Sequence, residues 1–363
     1  MLRTACYDWH VSHNGRMVDF AGWEMPVQYS SIVEEHHAVR RAAGLFDIAH
    51  MGRLIFSGPD SCRFLDFLVT NDVRRLEVGQ IRYALVTNEQ GGILDDVLVY
   101  RFESFYLLVV NASNREKIVN WIEQHRDGFD VSVNDVTREQ FMLAIQGPKS
   151  SKILNNITEI DVSTLKYYHG LETRIFGENA IVTRTGYTGE DGFEVILPSK
   201  MSVKLWESLI SEGESAGIQP AGLGCRDTLR LEAAMPLYGH EMNETIDPWT
   251  AGLGFGVRLK AGDFIGKSSL VSLKEKTDRP RRVGLELDGK RIAREGAKLI
   301  HNDREVGQVT SGTFSPTLQK SIAMGYLPNE LSTPGTELKV DIRGKRVNAT
   351  VVAMPFYQRG TEK

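Results

Sequence analysis

Two adjacent carboxylates, Asp95 and Asp96, follow a glycine pair in Asn88-Glu89-Gln90-Gly91-Gly92-Ile93-Leu94-Asp95-Asp96-Val97-Leu98-Val99-Tyr100. A carboxylate beside a reacting amine can orient it, accept its proton or stabilise positive charge as it develops. The glycine pair signals a hairpin, and the apolar run after it a strand. Successive side chains on a strand face opposite ways. Asp95 is therefore expected to share a face with Val97 and Val99, and Asp96 with Leu98 and Tyr100; one pocket takes both carboxylates only if the strand bulges. The Asp96 face, with a carboxylate, an aliphatic and an aromatic, suits an aromatic ligand that bears an amine. From spacing alone, solvated strand-end carboxylates are the commoner outcome.

Three further stretches invite a chemical reading. In Arg184-Thr185-Gly186-Tyr187-Thr188-Gly189-Glu190-Asp191-Gly192-Phe193-Glu194-Val195, three glycines make a loop whose backbone can approach a ligand. Glu190 and Asp191 would repel a phosphate, so a hairpin loop presenting Tyr187, then a strand presenting Glu194, fits better. A plain acidic hairpin fits the spacing equally. Ala221-Gly222-Leu223-Gly224-Cys225-Arg226-Asp227-Thr228-Leu229-Arg230-Leu231-Glu232 reads as a helix after a glycine-rich lead-in, with Arg226 and Arg230 on one face. Such an arginine could clamp a carboxylate through its planar fork, although spacing favours structural salt bridges. Ala261-Gly262-Asp263-Phe264-Ile265-Gly266-Lys267-Ser268 imitates a phosphate-binding loop. Asp263 would oppose the phosphates, and Phe264 and Ile265 fill positions where backbone must wrap them, so nucleotide binding is not expected.

The remaining candidates are weaker. His36 and His37 are helix neighbours that point apart, and His10, His13 and His50 lack ligand-like spacing to an acidic partner. Core or surface histidines, and no metal site, are expected. Cys6, Cys62 and Cys225 form no CxxC pair and read as free thiols in a reducing compartment.

The elements that must carry these residues are legible in outline. The chain has 363 residues, 41% hydrophobic and 25% charged, enough for two or three soluble domains. A net charge of -4 argues against a nucleic-acid partner. The first residues show no apolar leader core, and no apolar run approaches the ~20 residues of a membrane span. A cytoplasmic protein, without membrane or nucleic-acid contacts, is the expectation.

Helical spacing marks residues 30–41, capped at Ser31, and residues 61–70, 113–125 and 202–212. Between them, residues 53–57, 81–87, 93–100 and 106–111 read as strands. The strands are short and many are joined by tight turns, which favours mixed α+β with largely antiparallel sheets over a parallel α/β fold. A charged, proline-containing run places a linker near 275–282. From Val283 onward, short alternating stretches broken by Gly, Asn and Asp read as a small all-β domain. Two regions are thus expected, 1–275 and 283–363.

Taken together, the motifs resemble one family. Met17-Val18-Asp19-Phe20-Ala21-Gly22-Trp23-Glu24-Met25-Pro26, Asp47-Ile48-Ala49-His50-Met51-Gly52, Thr87-Asn88-Glu89 and the Asp96 stretch resemble the glycine cleavage T-proteins. So do Thr183 to Glu194, Gly222 to Asp227 and Thr310-Ser311-Gly312-Thr313-Phe314-Ser315-Pro316-Thr317, and the likeness runs on to Met354-Pro355-Phe356-Tyr357. The resemblance implies a three-domain cloverleaf, two interleaved α+β domains and a C-terminal β-barrel around a central cavity for tetrahydrofolate. It implies an aminomethyltransferase that takes the aminomethyl group from the lipoyl arm of the H-protein. The products would be ammonia, methylene-tetrahydrofolate and dihydrolipoyl H-protein.

The same resemblance places Asp96 beside the folate's bridging amine as the catalytic carboxylate. It puts Met51, Tyr83, Leu98, Tyr100, Tyr168, Tyr187, Glu194 and Arg226 in or near the folate cavity, and implies no metal. Two positions depart from the family pattern: Cys225 stands where alanine is usual, and Ala234 where glycine is usual. Cys225 is read as structural. A folate-dependent demethylase of the same fold is the alternative. A non-catalytic folate protein of iron–sulfur assembly is disfavoured, because Met235-Pro236-Leu237-Tyr238-Gly239-His240-Glu241 lacks the cysteine such proteins carry.

Overall fold

A computed structural model describes residues 1–360 of the chain; the last three residues of the expected C-terminal region lie outside the described residues. The expected helices form at Ile32–Arg41, Ser61–Leu68, Arg115–His125 and Ser202–Gly213. Ser31 caps the first of these, its side chain accepting from the Glu34 amide at 3.2 Å. The arginine-bearing helix runs over Leu223–Glu232.

A six-stranded sheet runs in the order Gly170–Ile175, Glu178–Thr183, Gly192–Pro198, Gln140–Gln146, Ala43–Asp47, Ile218–Pro220. A five-stranded sheet runs in the order Ile81–Thr87, Ile93–Arg101, Tyr106–Val110, Gly52–Ser57, Ser132–Asp135. The second sheet is drawn wholly from chain lying between two strands of the first, Ala43–Asp47 and Gln140–Gln146. Chain from Met242 to Leu270 then returns to pack on Leu85 and Ile93 of the five-stranded sheet. A short three-stranded sheet at the N-terminus adds Arg16–Phe20 and Trp23–Gln28.

Pairing is antiparallel throughout, apart from Leu2–Arg3 with Trp23–Gln28 and Ile218–Pro220 with Ala43–Asp47. The mixed, largely antiparallel fold expected from the sequence is borne out. Six strands beginning at Arg281–Leu287 close the C-terminal barrel, so the strand starts within the charged run that marked the linker.

The site is positioned by the layer where the two large sheets face each other. Phe46, Ile48, Met142, Ala144 and Ile196 from one sheet meet Tyr100, Leu107 and Val109 from the other. Burying such a layer removes apolar area from water at roughly 25 cal/mol per Å². Separate cores lie on the outer face of each sheet, under their helices, and inside the barrel.

The hairpin before Asp96 forms as the sequence suggested. Gly91 takes φ +85°, and the Asn88 side chain accepts from the Gln90 and Gly92 amides at 3.1 and 2.8 Å. Gly92 is needed for a second reason, since a Cβ there would stand 1.7 Å from the carbonyl oxygen of Glu244.

No helix among the described residues is long and apolar enough to cross a membrane. Cys6, Cys62 and Cys225 are free, with Cys6 and Cys225 buried.

Candidate active site

Antiparallel register builds the first wall of the site. Leu85 pairs with Asp96 and Tyr83 with Leu98, so Tyr83, Asp96 and Leu98 share one face of the five-stranded sheet. Tyr83 donates its hydroxyl to Asp96 Oδ2 at 3.2 Å. Leu98 pairs with Val109, and continuing that register by two residues sets Asn111 opposite Asp96. The Asn111 amide nitrogen lies 2.7 Å from Asp96 Oδ1.

Asp96 opens into a cavity of about 540 Å³ that also takes in Met51, Tyr83, Leu98, Tyr168, Tyr187, Glu194 and Arg226. Burial raises the Asp96 carboxyl above the usual carboxylate range, against the hydrogen bonds from Asn111 and Tyr83 that pull it down. Burial likewise pushes the Tyr83 phenol well up, helped by the Asp96 charge, so it remains a donor across the physiological range.

The facing wall comes from the six-stranded sheet and the arginine helix. Glu194 is 6% exposed and accepts from the Thr185 hydroxyl at 2.6 Å. Burial pushes its carboxyl up, while Thr185 and the Arg226 charge hold it down. Arg226 stacks on Tyr187, its guanidinium carbon 4.7 Å from the ring centroid. Arg230, one turn on, is 2% exposed and pairs with Glu241 at 3.0 Å. Arg226 thus faces the cavity, while Arg230 makes the structural ion pair. Tyr168 enters from a turn, held in a left-handed conformation at φ +59° with its carbonyl accepting from the Ile81 amide.

The structure brings together every expected site residue except Tyr100. Strand parity put Tyr100 on the Asp96 face, and it is there, but it is fully buried in the layer between the sheets and does not line the cavity. Parity gives the face of a sheet and says nothing of depth. Glu190 and Asp191 of the glycine loop turn away into ion pairs with Arg40 and Arg184. The imitation phosphate loop is closed by its own lysine: Lys267 donates to the carbonyls of Ala261 and Gly262 at 3.1 and 3.0 Å.

Other residues on the wall carried no signal that spacing could read. Phe255 stacks on Tyr83, centroids 5.3 Å apart. Arg282 reaches in from the first barrel strand and donates to the Ala234 carbonyl at 3.0 Å. His50 lines the cavity as a neutral ring, burial holding its pKa down to about 3. His10, for which no acidic partner was expected, lies 2.9 Å from Asp47.

Besides a hollow that shares only Arg282 with the cavity, two further hollows adjoin it. One adds Arg75, Arg82 and Arg258, with Asp72, beyond Tyr83, Tyr168 and Phe255. The other lies beyond Tyr187 and Arg226, against Arg294 and the barrel residues Thr310 to Gly312. No group of three or more His, Cys, Asp or Glu side chains placed to hold a metal ion occurs among the described residues.

Interleaved sheets and a barrel around a cavity with a held carboxylate in its wall fit an enzyme that works on a bound amine. Comparison with known proteins makes this specific. Residues 6–261 match the family model described as the GCVT N-terminal domain, and residues 281–358 the glycine cleavage T-protein C-terminal barrel domain. The chain is 46% identical over 360 residues to an aminomethyltransferase of Desulfitobacterium hafniense, covering 99% of each. It is 43% identical over 365 residues to one of Caldanaerobacter subterraneus subsp. tengcongensis, covering 100% of this chain and 98% of the relative. The crystal structure of glycine cleavage system aminomethyltransferase T from Bartonella henselae superposes with a TM-score of 0.92 at 34% identity, covering 98% of each chain. The chain belongs to the glycine cleavage T-protein family and is an aminomethyltransferase. These comparisons do not favour the demethylase alternative.

Proposed function

We propose that the cavity binds tetrahydrofolate and that Asp96 is the catalytic carboxylate of aminomethyl transfer. The donor is read as the aminomethyl-lipoyl arm of the H-protein, and the products as ammonia, methylene-tetrahydrofolate and dihydrolipoyl H-protein. One observation carries this reading: Asp96 stands in the cavity wall with one oxygen held by Asn111 and the other by Tyr83.

The residues present fit the folate. Glu194, buried and steadied by Thr185, would accept from the adjacent N–H donors of the pterin edge. Tyr83 and Phe255 offer a stacked pair of rings to a flat ligand, Tyr168 and Tyr187 add aromatic surface, and Met51 and Leu98 fill in apolar surface. Arg226 would meet polar groups of the ligand from the Tyr187 side. Tyr100 would act from behind the wall as packing. The basic hollow around Arg75, Arg82 and Arg258 suits the carboxylates of the folate's glutamate.

The chemistry asked of these residues is modest. Two folate amines each form a bond to the methylene carbon as its bonds to nitrogen and to the lipoyl sulfur break, and the two amine protons end on the ammonia and the thiol that leave. Asp96 orients the attacking amine, accepts its proton, and favours positive charge on the carbon as it passes.

The chain is read as two interleaved α+β domains ending near residue 275 and a barrel domain from 281. A cytoplasmic location is part of the proposal, supported by free cysteines of the kind a reducing compartment keeps. The test is ammonia release from aminomethylated H-protein with this chain as the sole T-protein. Release that rises sharply on adding tetrahydrofolate supports the reading. Release from a small methylated amine, with none from H-protein, would replace it by the demethylase.

A further inference from the structure

Asp95 faces away from the cavity, and the mechanism above makes no use of it. It is nonetheless completely buried. Its oxygens take three donors: the Asn111 backbone amide at 3.0 Å, the Asn111 side-chain amide at 2.8 Å and the Asn114 side-chain amide at 2.6 Å. All three are N–H donors, and Asp95 makes no hydrogen bond to an acceptor among the described residues. Burial, then the neighbouring Asp96 charge, outweigh these donors and raise its pKa well above the usual carboxylate range. A carboxyl group buried this deeply is costly, and its position gives it a use.

The use lies in Asn111. Its Nδ2 carries two protons, and it stands 2.8 Å from Asp95 Oδ1 and 2.7 Å from Asp96 Oδ1. One amide thus spans carboxylates that point to opposite faces of the strand. We propose that Asp95 is a positioning residue for the transfer reaction: it anchors Asn111 so that the amide pins Asp96 Oδ1 and leaves Oδ2 directed at Tyr83 and the substrate amine. This rests on the reading of Asp96 as the catalytic carboxylate.

The anchoring explains why two groups so close are not redundant. Asn111 without Asp95 could rotate about its side-chain torsions and present its carbonyl oxygen to Asp96, which would repel the carboxylate. With Asp95 taking one N–H, and the Asn111 backbone amide tied to the same carboxylate, only the donating orientation remains. Asn114 steadies Asp95 from the start of the following helix. A carboxylate whose direction is fixed before substrate arrives needs no reorganisation during the transfer.

The experiment is a double-mutant cycle on the full chain, assayed with aminomethylated H-protein and tetrahydrofolate well below the melting temperature. Asp95→Asn puts an amide N–H against existing donors and frees Asn111; Asn111→Ala removes the link itself. Each is expected to lower kcat by about tenfold with KM for tetrahydrofolate within about twofold, because the folate walls are untouched. The double variant should be no slower than Asn111→Ala alone, since both changes break one connection. Losses that multiply, a normal kcat in Asp95→Asn, or a loss confined to KM would overturn the proposal.

Should Asp95→Asn not fold, the unaltered protein decides. Its Asn111 side-chain amide protons should give two separate, exchange-protected NMR signals, and rapidly exchanging ones would refute the anchor. Asp96→Ala, run beside these, separates the two layers of inference. If it retains turnover, the reading of Asp96 fails; if it is inactive while Asp95→Asn is normal, only the role of Asp95 fails.

Discussion

At Asp96 the chemistry turns on which form of one carboxyl is present. Burial raises its pKa, so the proton-accepting form appears only above the usual range for an aspartate. The acid limb of the kcat/KM profile should accordingly lie above the ordinary aspartate range, activity rising as pH passes through it; a limb below pH 4 would mean that Asp96 is solvated and ordinary. Across the cavity, Glu194→Gln would turn an N–H toward a donor edge of the ligand and remove a charge-assisted bond of about 1.5–3 kcal/mol. Calorimetry with tetrahydrofolate should then show binding weaker by roughly 10- to 100-fold; unchanged affinity would remove Glu194 from the pterin contact. Much at this scale was legible beforehand. Strand parity separated Asp96 from Asp95 and set it with Leu98, and resemblance supplied the ligand. Asn111 was not legible, because its place depends on the register between two strands rather than on any local pattern. Tyr100, expected in or near the cavity, lies behind its wall close to Glu194 and Tyr168, a depth that strand parity does not give.

Among elements, the turn that ends the arginine helix holds the clearest local conflict. Ala234 sits at φ +53°, a left-handed conformation that costs a residue with a Cβ roughly 1 kcal/mol, and its carbonyl accepts from Arg282. This is the position where the family pattern has glycine, and the geometry gives the reason. Ala234→Gly should raise the melting temperature or leave it unchanged, the relief of strain offsetting the greater entropy of unfolded glycine. A fall of several degrees would mean that the alanine methyl, which packs beside Ile322 and Met324, outweighs the strain. Helices and hairpins were readable from caps, periodicity and glycine pairs. The six-stranded sheet was not, since it joins Ala43–Asp47 to Gln140–Gln146 across an entire inserted sheet.

The whole molecule is held around the cavity by polar contacts that no sequence pattern displays. Glu232, at the end of the arginine helix, meets Arg40 at 2.7 Å, His36 at 3.2 Å and the Thr317 amide of the barrel at 3.1 Å, and accepts from the Ser315 hydroxyl. Burial disfavours its charge, yet His36, Arg40 and Ser315 outweigh that and hold its pKa down to about 2. Because the folded value lies below a glutamate's ordinary 4.5, the stability it contributes is complete above that pH and is lost as pH falls toward about 2. Glu232→Gln leaves Arg40 with less compensation and should cost about 3 kcal/mol at neutral pH. Denaturant unfolding of that variant should also show a flatter pH dependence between 4.5 and 2. An unchanged slope would show that other carboxylates govern acid stability. The separate all-β domain was foreseen from its turn-rich strands, and its barrel form from the family resemblance; its attachment was not, because the partners lie in distant parts of the chain.

The cavity, the held carboxylate and the closing barrel converge on Asp96, and Asp96→Ala tests that convergence most directly. With aminomethylated H-protein and tetrahydrofolate, ammonia release should fall by about 10²- to 10⁴-fold while calorimetry still finds tetrahydrofolate bound. Turnover within a few-fold of the unaltered protein, with folate bound as before, would contradict the account.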